Sequence, residues 1–244
     1  MVLFLFFILP GVTGAGHVWE NNITVEEHGM VWDYNEEYDG SDSIFFKTHI
    51  DADLGNNDGF VSAWELLKTD VKMRESMYTS IMKNMDVKIN NSAGAIHVVD
   101  VDSSICYETL GKTHESAHLT NCYHVIYSFD DSLLNLGSNI WFLGEPDTNV
   151  TIVMPFGVDI VSTDGIENAT IIVQNNSAVI SGTFGFVGEI TIGYAQNMSW
   201  DRISPECEAN MTAAPDPTDE PFSPGSRSKI ILSIREKLGL SPKR

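Results

Sequence analysis

Positive charge is nearly missing from most of this chain. Residues 1 to 226 hold 8 Lys or Arg against 33 Asp or Glu, and only the last 18 residues reverse the balance, with 6 bases and 1 acid. A body of net charge near -25 repels phosphate backbones and anionic lipid, which excludes nucleic acid from the expected partners, and it attracts divalent cations. Hydrophobic runs are short as well. None approaches the roughly 20 apolar residues that a membrane-spanning helix requires, so no transmembrane helix is expected. The P-loop, the dinucleotide glycine fingerprint and the Gly-x-Ser-x-Gly elbow are all absent, and no carboxylate pair stands out from the acidic background. Nucleotide, hydride-transfer, serine-hydrolase and glycosidase chemistries therefore lack a motif.

Cysteine is scarce too, with Cys106, Cys122 and Cys207 the three present. That number suits an oxidising compartment, one disulfide and one leftover thiol. A hairpin centred near His114 would set Cys106 opposite Cys122, which makes them the expected pair.

Several features point outward from the cell. Val2 to Val12 form an apolar run of signal-peptide length, followed by the small residues Gly14, Ala15 and Gly16, so residues 1–15 are expected to be a leader, although no Lys or Arg precedes the run. Asn-x-Ser/Thr sequons occur at Asn22, Asn90, Asn149, Asn168, Asn175, Asn197 and Asn210, candidate glycosylation sites of an extracellular or cell-surface protein.

Residues 16–200 form the expected main domain. Short strands are expected at Asn22 to Val25 and Met30 to Tyr34, then a short helix at Ser43 to Ile50. A longer amphipathic helix is expected from about Ser62 to Met85, with Leu66, Leu67, Val71, Met77, Ile81 and Met82 at helical spacing. Ser62 and Glu65 match a capping box at its start. From Val87 onward the hydrophobic period drops to two, and about nine short strands separated by turn clusters predict an antiparallel β-sandwich with an α-hairpin inserted at about 43–86. Prolines at 205, 215, 217, 221 and 224 mark residues 201–226 as a linker. Residues 227–244 form a basic amphipathic tail that fits peripheral contact with a membrane.

Two segments carry metal-binding patterns. The first runs from Asp51 to Glu65 and resembles an EF-hand loop, with calcium as its expected cofactor. Asp58, Gly59, the carbonyl of Phe60, Val61, Ser62 and Glu65 fall at the expected relative positions, and a tight turn at glycine lets hard oxygen donors converge. Asp51 and Asp53 have the right mutual spacing but stand three residues too far upstream. With Asp58-Gly-Phe-Val-Ser-Ala-Trp-Glu65 and the block Val150 to Gly185, the chain resembles archaeal exported surface proteins of uncharacterised role. The resemblance implies a β-sandwich interrupted by an EF-hand-like loop and helix, and attachment to the cell envelope.

The second pattern is His114-Glu115-Ser-Ala-His118 followed by His124, the spacing of metzincin zinc proteases. On a helix, His114 and His118 would share a face and hold zinc with His124, while Glu115 acted as general base. Asn121 stands where that family carries glycine, and the alternation Leu119, Asn121, Tyr123, Val125, Tyr127 reads instead as one face of a strand. The favoured expectation is a secreted, calcium-stabilised binding or structural module that contacts surface proteins, glycans or the envelope. The alternative is the zinc protease.

Overall fold

The computed structural model describes residues 17–174 and 176–197. The expected leader, linker and basic tail, together with Asn175, Cys207 and Asn210, lie outside the described residues.

The chain is mostly β. Strands β1 (His17–Glu26) and β2 (Gly29–Tyr38) form a hairpin, and helix α1 (Gly40–Asp53), the two-residue strand β3 (Phe60–Val61) and helix α2 (Ala63–Lys83) follow. Then come β4 (Val87–Ile89), β5 (Ile96–Ile105), β6 (Gly111–Lys112), β7 (Leu119–Phe129), the single turn α3 (Leu133–Leu136) and β8 (Asn139–Leu143). The chain continues as β9 (Asn149–Val153), β10 (Val158–Asp164), β11 (Ile166–Gln174), β12 (Ser177–Phe184) and β13 (Glu189–Gln196). Seven strands make one sheet in the order β11-β12-β9-β1-β2-β7-β5, four make a second in the order β10-β13-β8-β4, and β3 pairs with β6 alone.

Alternation places the core. In β2, Met30, Trp32, Tyr34, Glu36 and Tyr38 turn inward, and in β7 the inward set is Leu119, Asn121, Tyr123, Val125, Tyr127 and Phe129. Strand side chains point alternately to the two faces of a sheet, so ten residues of β2 give five inward positions. Trp32 stacks on Tyr34 with centroids 4.6 Å apart and meets the edge of Phe142 from β8 at 5.7 Å. Both sheets therefore contribute to one hydrophobic cluster, which also takes Ile140, Ile152, Ile180, Ile190 and Ile192. Full burial of each such side chain contributes about 1.5–3 kcal/mol. Gly29 is required where β2 crosses β7, because a Cβ there would lie 2.4 Å from the carbonyl oxygen of Tyr127.

Three expectations need correction. The sheet is not wholly antiparallel, because β1 and β9 run parallel, with Ile23 opposite Ile152; sequence alternation carries no strand direction. The first helix is longer than Ser43 to Ile50, extending back to Gly40 and forward to Asp53. The apolar residues of α2 divide between two faces: Ile81 is buried and Met73 and Met77 pack on the core, while Leu67, Val71 and Met82 are exposed. Sheet edge β5 and helix α2 meet through Ser103, whose hydroxyl donates to the Asp70 carboxylate at 2.6 Å.

Candidate functional site

The α1–α2 connection folds around two buried carboxylates. Asp51, near the end of α1, is 2 % exposed, and Glu65, in the first turn of α2, is 5 % exposed. Asp51 accepts from the Asp58 amide at 3.2 Å and from the Gly59 amide at 2.8 Å. Glu65 accepts from the Asn56 amide at 3.1 Å through Oε1 and from the Ser62 amide at 2.8 Å through Oε2. Ser62 Oγ accepts in turn from the Glu65 amide, completing the capping box read from the sequence. Gly59, at φ 83°, supplies a left-handed turn that a side chain would strain. Gly55 is needed for a different reason: a Cβ there would stand 2.3 Å from Glu65 Oε1, so the loop can wrap the carboxylate only without one.

The inserted residues Leu54 to Asn56 thus have a structural role that spacing alone did not reveal. The Leu54 amide caps α1 by donating to the Ile50 carbonyl at 3.1 Å, and its own carbonyl accepts from Lys68. Asn56 Nδ2 donates to Asp58 at 3.0 Å. The expected ligand set is only partly brought together. Asp51, Asp58 and Glu65 all hold loop groups, whereas Asp53 points away and pairs with His49 at 3.3 Å, half-exposed. The donors present are hard oxygens of the kind calcium takes, but in this arrangement the carboxylates accept from the loop's own amides.

The two sequence patterns turn out to be neighbours. Phe60 and Val61 of β3 pair with Lys112 and Gly111 of β6, and the Thr113 amide donates to the Gly59 carbonyl at 3.0 Å. Lys47, only 3 % exposed, donates to the Glu115 carbonyl at 3.2 Å, and Ser43 Oγ accepts from the Ala117 amide at 3.1 Å. Residues 113–117 are therefore stitched onto the acidic loop and α1.

That stitching sets the conformation of the histidine stretch. His114 and Glu115 lie in a turn, His118 just before β7 and His124 within it, so no helix carries the pattern. Three of the four side chains have separate neighbours: Lys112 donates to Glu115 at 3.0 Å, His118 contacts Asp39 at 3.0 Å, and His124 contacts Asp33 at 2.5 Å. The hydrogen bond and charge of Lys112 hold the Glu115 carboxyl below its usual range. Among the described residues, no three His, Cys, Asp or Glu side chains are placed to hold a metal ion.

Cys106 and Cys122 are free thiols in the structure. The hairpin is centred one residue earlier than the sequence suggested, so Cys122 pairs with Ser104, and the Cys106 amide donates to the Thr120 carbonyl at 3.0 Å. Cys106 Sγ accepts from the Thr120 amide at 3.2 Å, and burial, with the nearby Asp33 charge, pushes the Cys122 thiol up. Of the sequons, Asn22, Asn90, Asn149 and Asn168 are exposed, while Asn197 is half-buried and donates to Asp159 at 2.8 Å. The Asn90 amide is engaged as well, since Oδ1 accepts from Ser138 at 3.2 Å.

Sequence reasoning missed two buried polar clusters. Glu36 is 2 % exposed and accepts from the Tyr38 hydroxyl and from Asn121 Nδ2, each at 2.7 Å. Asp86 accepts from Tyr34 at 2.8 Å and from Tyr127 at 2.9 Å. Burial raises the Asp86 carboxyl to about 6 against the opposing effect of both phenols. Inward alternation placed Glu36 and Asn121 on the core face, and that was the one available signal.

No family model matches the chain, and no curated protein matches it. Among solved structures, it is similar to an M1 zinc metallopeptidase from Deinococcus radiodurans, at 8 % identity and a TM-score of 0.30, over 75 % of this chain and 43 % of that one. The chain thus spans less than half of that peptidase, and a likeness of this size decides neither fold nor chemistry.

Proposed function

We propose that the chain is a secreted or cell-surface binding and structural module, of the kind found among archaeal exported surface proteins, stabilised by calcium at the α1–α2 loop. The observation that carries the reading is the burial of Asp51 and Glu65 on opposite sides of one loop, each gathering backbone amides around oxygen donors. Calcium would draw Asp51, Asp58 and Glu65 away from the loop amides they accept from in this structure, with the Phe60 carbonyl and Ser62 completing the set, and it would neutralise carboxylates that are crowded in an acidic body. The joint of β3 with β6 gives such an ion a structural task, because it ties the helical hairpin to the approach to β7. The shared core through Trp32 and Phe142 supports reading the two sheets as a β-sandwich, with the hairpin inserted between β2 and β4. Extracellular placement and glycosylation at the exposed sequons belong to the same reading and rest on the sequence.

The zinc-protease alternative is not favoured, because its histidines sit on a turn, a coil and a strand, with His118 and His124 held by different carboxylates. Thermal unfolding with calcium and with chelator tests the calcium reading. Ligand binding to the native state alone adds about 2.7 kcal/mol at about 100 times the dissociation constant. A calcium-dependent rise in Tm that Glu65→Ala abolishes is the expected result, and identical curves with calcium and chelator would overturn the reading.

A further inference from the structure

Among the described residues, nothing covers the apolar outer face of α2. Trp64, Leu67, Val71, Tyr78 and Met82 are exposed, Trp64 at 66 %. At about 100° of turn per residue they fall within a strip about 60° wide, turned away from the side that carries buried Thr69 and the core-packed Met73 and Met77. Such a contiguous strip on a helix marks an interaction surface. A shallow groove along it is lined by Trp64, Leu67, Lys68, Val71, Lys72 and Glu75.

Charge selects the occupant. Lys68 and Glu75 stand on the same flank of the strip, one heptad apart. When two copies of a helix pack antiparallel about a two-fold axis, each flank faces the same flank of the other copy running the opposite way. With the axis beside Val71, Lys68 of one copy meets Glu75 of the other, and the pairing repeats by symmetry. Repulsion between two acidic bodies is also least here, because Lys68, Lys72, Arg74 and Lys83 are four of the seven Lys and Arg among the described residues. We infer that α2 is the dimerisation helix of this protein, pairing with α2 of a second copy through the Trp64–Leu67–Val71–Tyr78 strip.

The full chain, measured by size-exclusion chromatography with light scattering over a concentration series, should show twice the mass of one chain. Val71→Glu should return it to one chain with an unchanged circular dichroism spectrum. Lys68→Glu places like charges together twice per dimer and should weaken association about tenfold, and adding Glu75→Lys should restore it. The charge swap decides the matter should Val71→Glu fail to fold. A chain that stays monomeric up to its solubility limit overturns the inference, and so does a dimer indifferent to the charge reversal. Because Lys68 also donates to the Leu54 carbonyl, each mass is measured in calcium and again in chelator, and a dimer that forms in both keeps this inference separate from the calcium reading.

Discussion

Tyr127 donates its phenol proton to the Asp86 carboxylate at 2.9 Å inside the hydrophobic cluster, where Tyr34 donates to the same group at 2.8 Å. Burial raises this carboxyl from the ordinary value of 3.8 to about 6. The folded state therefore holds the proton more tightly than the unfolded chain does. The stability so gained is fully present below about pH 4 and is lost as pH rises through about 6. Replacing Asp86 with Asn removes that loss. Urea unfolding at pH 4 and pH 7 should show the stability difference between variant and wild type moving in favour of Asn by up to about 3 kcal/mol at the higher pH. A difference that does not change with pH contradicts the assignment.

Trp32 joins the two sheets, stacked on Tyr34 and edge-on to Phe142. Trp32→Ala should cost about 3–5 kcal/mol, the range for emptying a large aromatic site. Guanidinium unfolding followed by circular dichroism measures this, and a cost below about 1 kcal/mol would mean that the sheets do not meet through this residue.

Asn121 is fully buried, and its Nδ2 donates to Glu36 while its Oδ1 has no hydrogen-bond partner among the described residues. Asn121→Ala leaves the buried Glu36 carboxyl with one donor fewer and should destabilise by about 1–3 kcal/mol. The companion substitution Tyr38→Phe removes a second donor. Because both act on one carboxyl, the double variant should depart from the sum of the two single costs in chemical denaturation.

Much of this architecture was legible in the residues. Period-two alternation located β5, β7, β8, β9, β10, β11, β12 and β13 within a few positions, and Ser62 with Glu65 fixed the start of α2. What stayed hidden depends on partners distant in sequence. The parallel pairing of β1 with β9 and the two-residue strands β3 and β6 have no local signature. Nor did spacing reveal that Leu54 to Asn56 wrap Glu65, since this depends on Gly55 lacking a Cβ. The Cys106 to Cys122 pairing failed on register: a shift of one residue in the hairpin centre moves the partner by two. On α2, helical spacing groups Leu67, Val71 and Met82 with Ile81 without saying which of them the core covers, and only Ile81 of these four is buried.

The cap itself can be separated from the metal. Ser62→Ala removes the side-chain acceptor of the Glu65 amide and should cost about 1 kcal/mol in chelator, as for other N-cap losses, and more in calcium, because Ser62 is also a proposed ligand. Differential scanning calorimetry in chelator isolates the loss of the cap for Ser62→Ala, and the decrements of both Ser62→Ala and Glu65→Ala should be larger in calcium. Equal decrements for Glu65→Ala would reduce that residue to a capping role.

The central claim is most directly tested by elemental mass spectrometry of the full chain purified without chelator. One calcium per chain, lost in Glu65→Ala and kept in His114→Ala, is the predicted result. Stoichiometric zinc lost in His114→Ala, or no calcium at all, would contradict it.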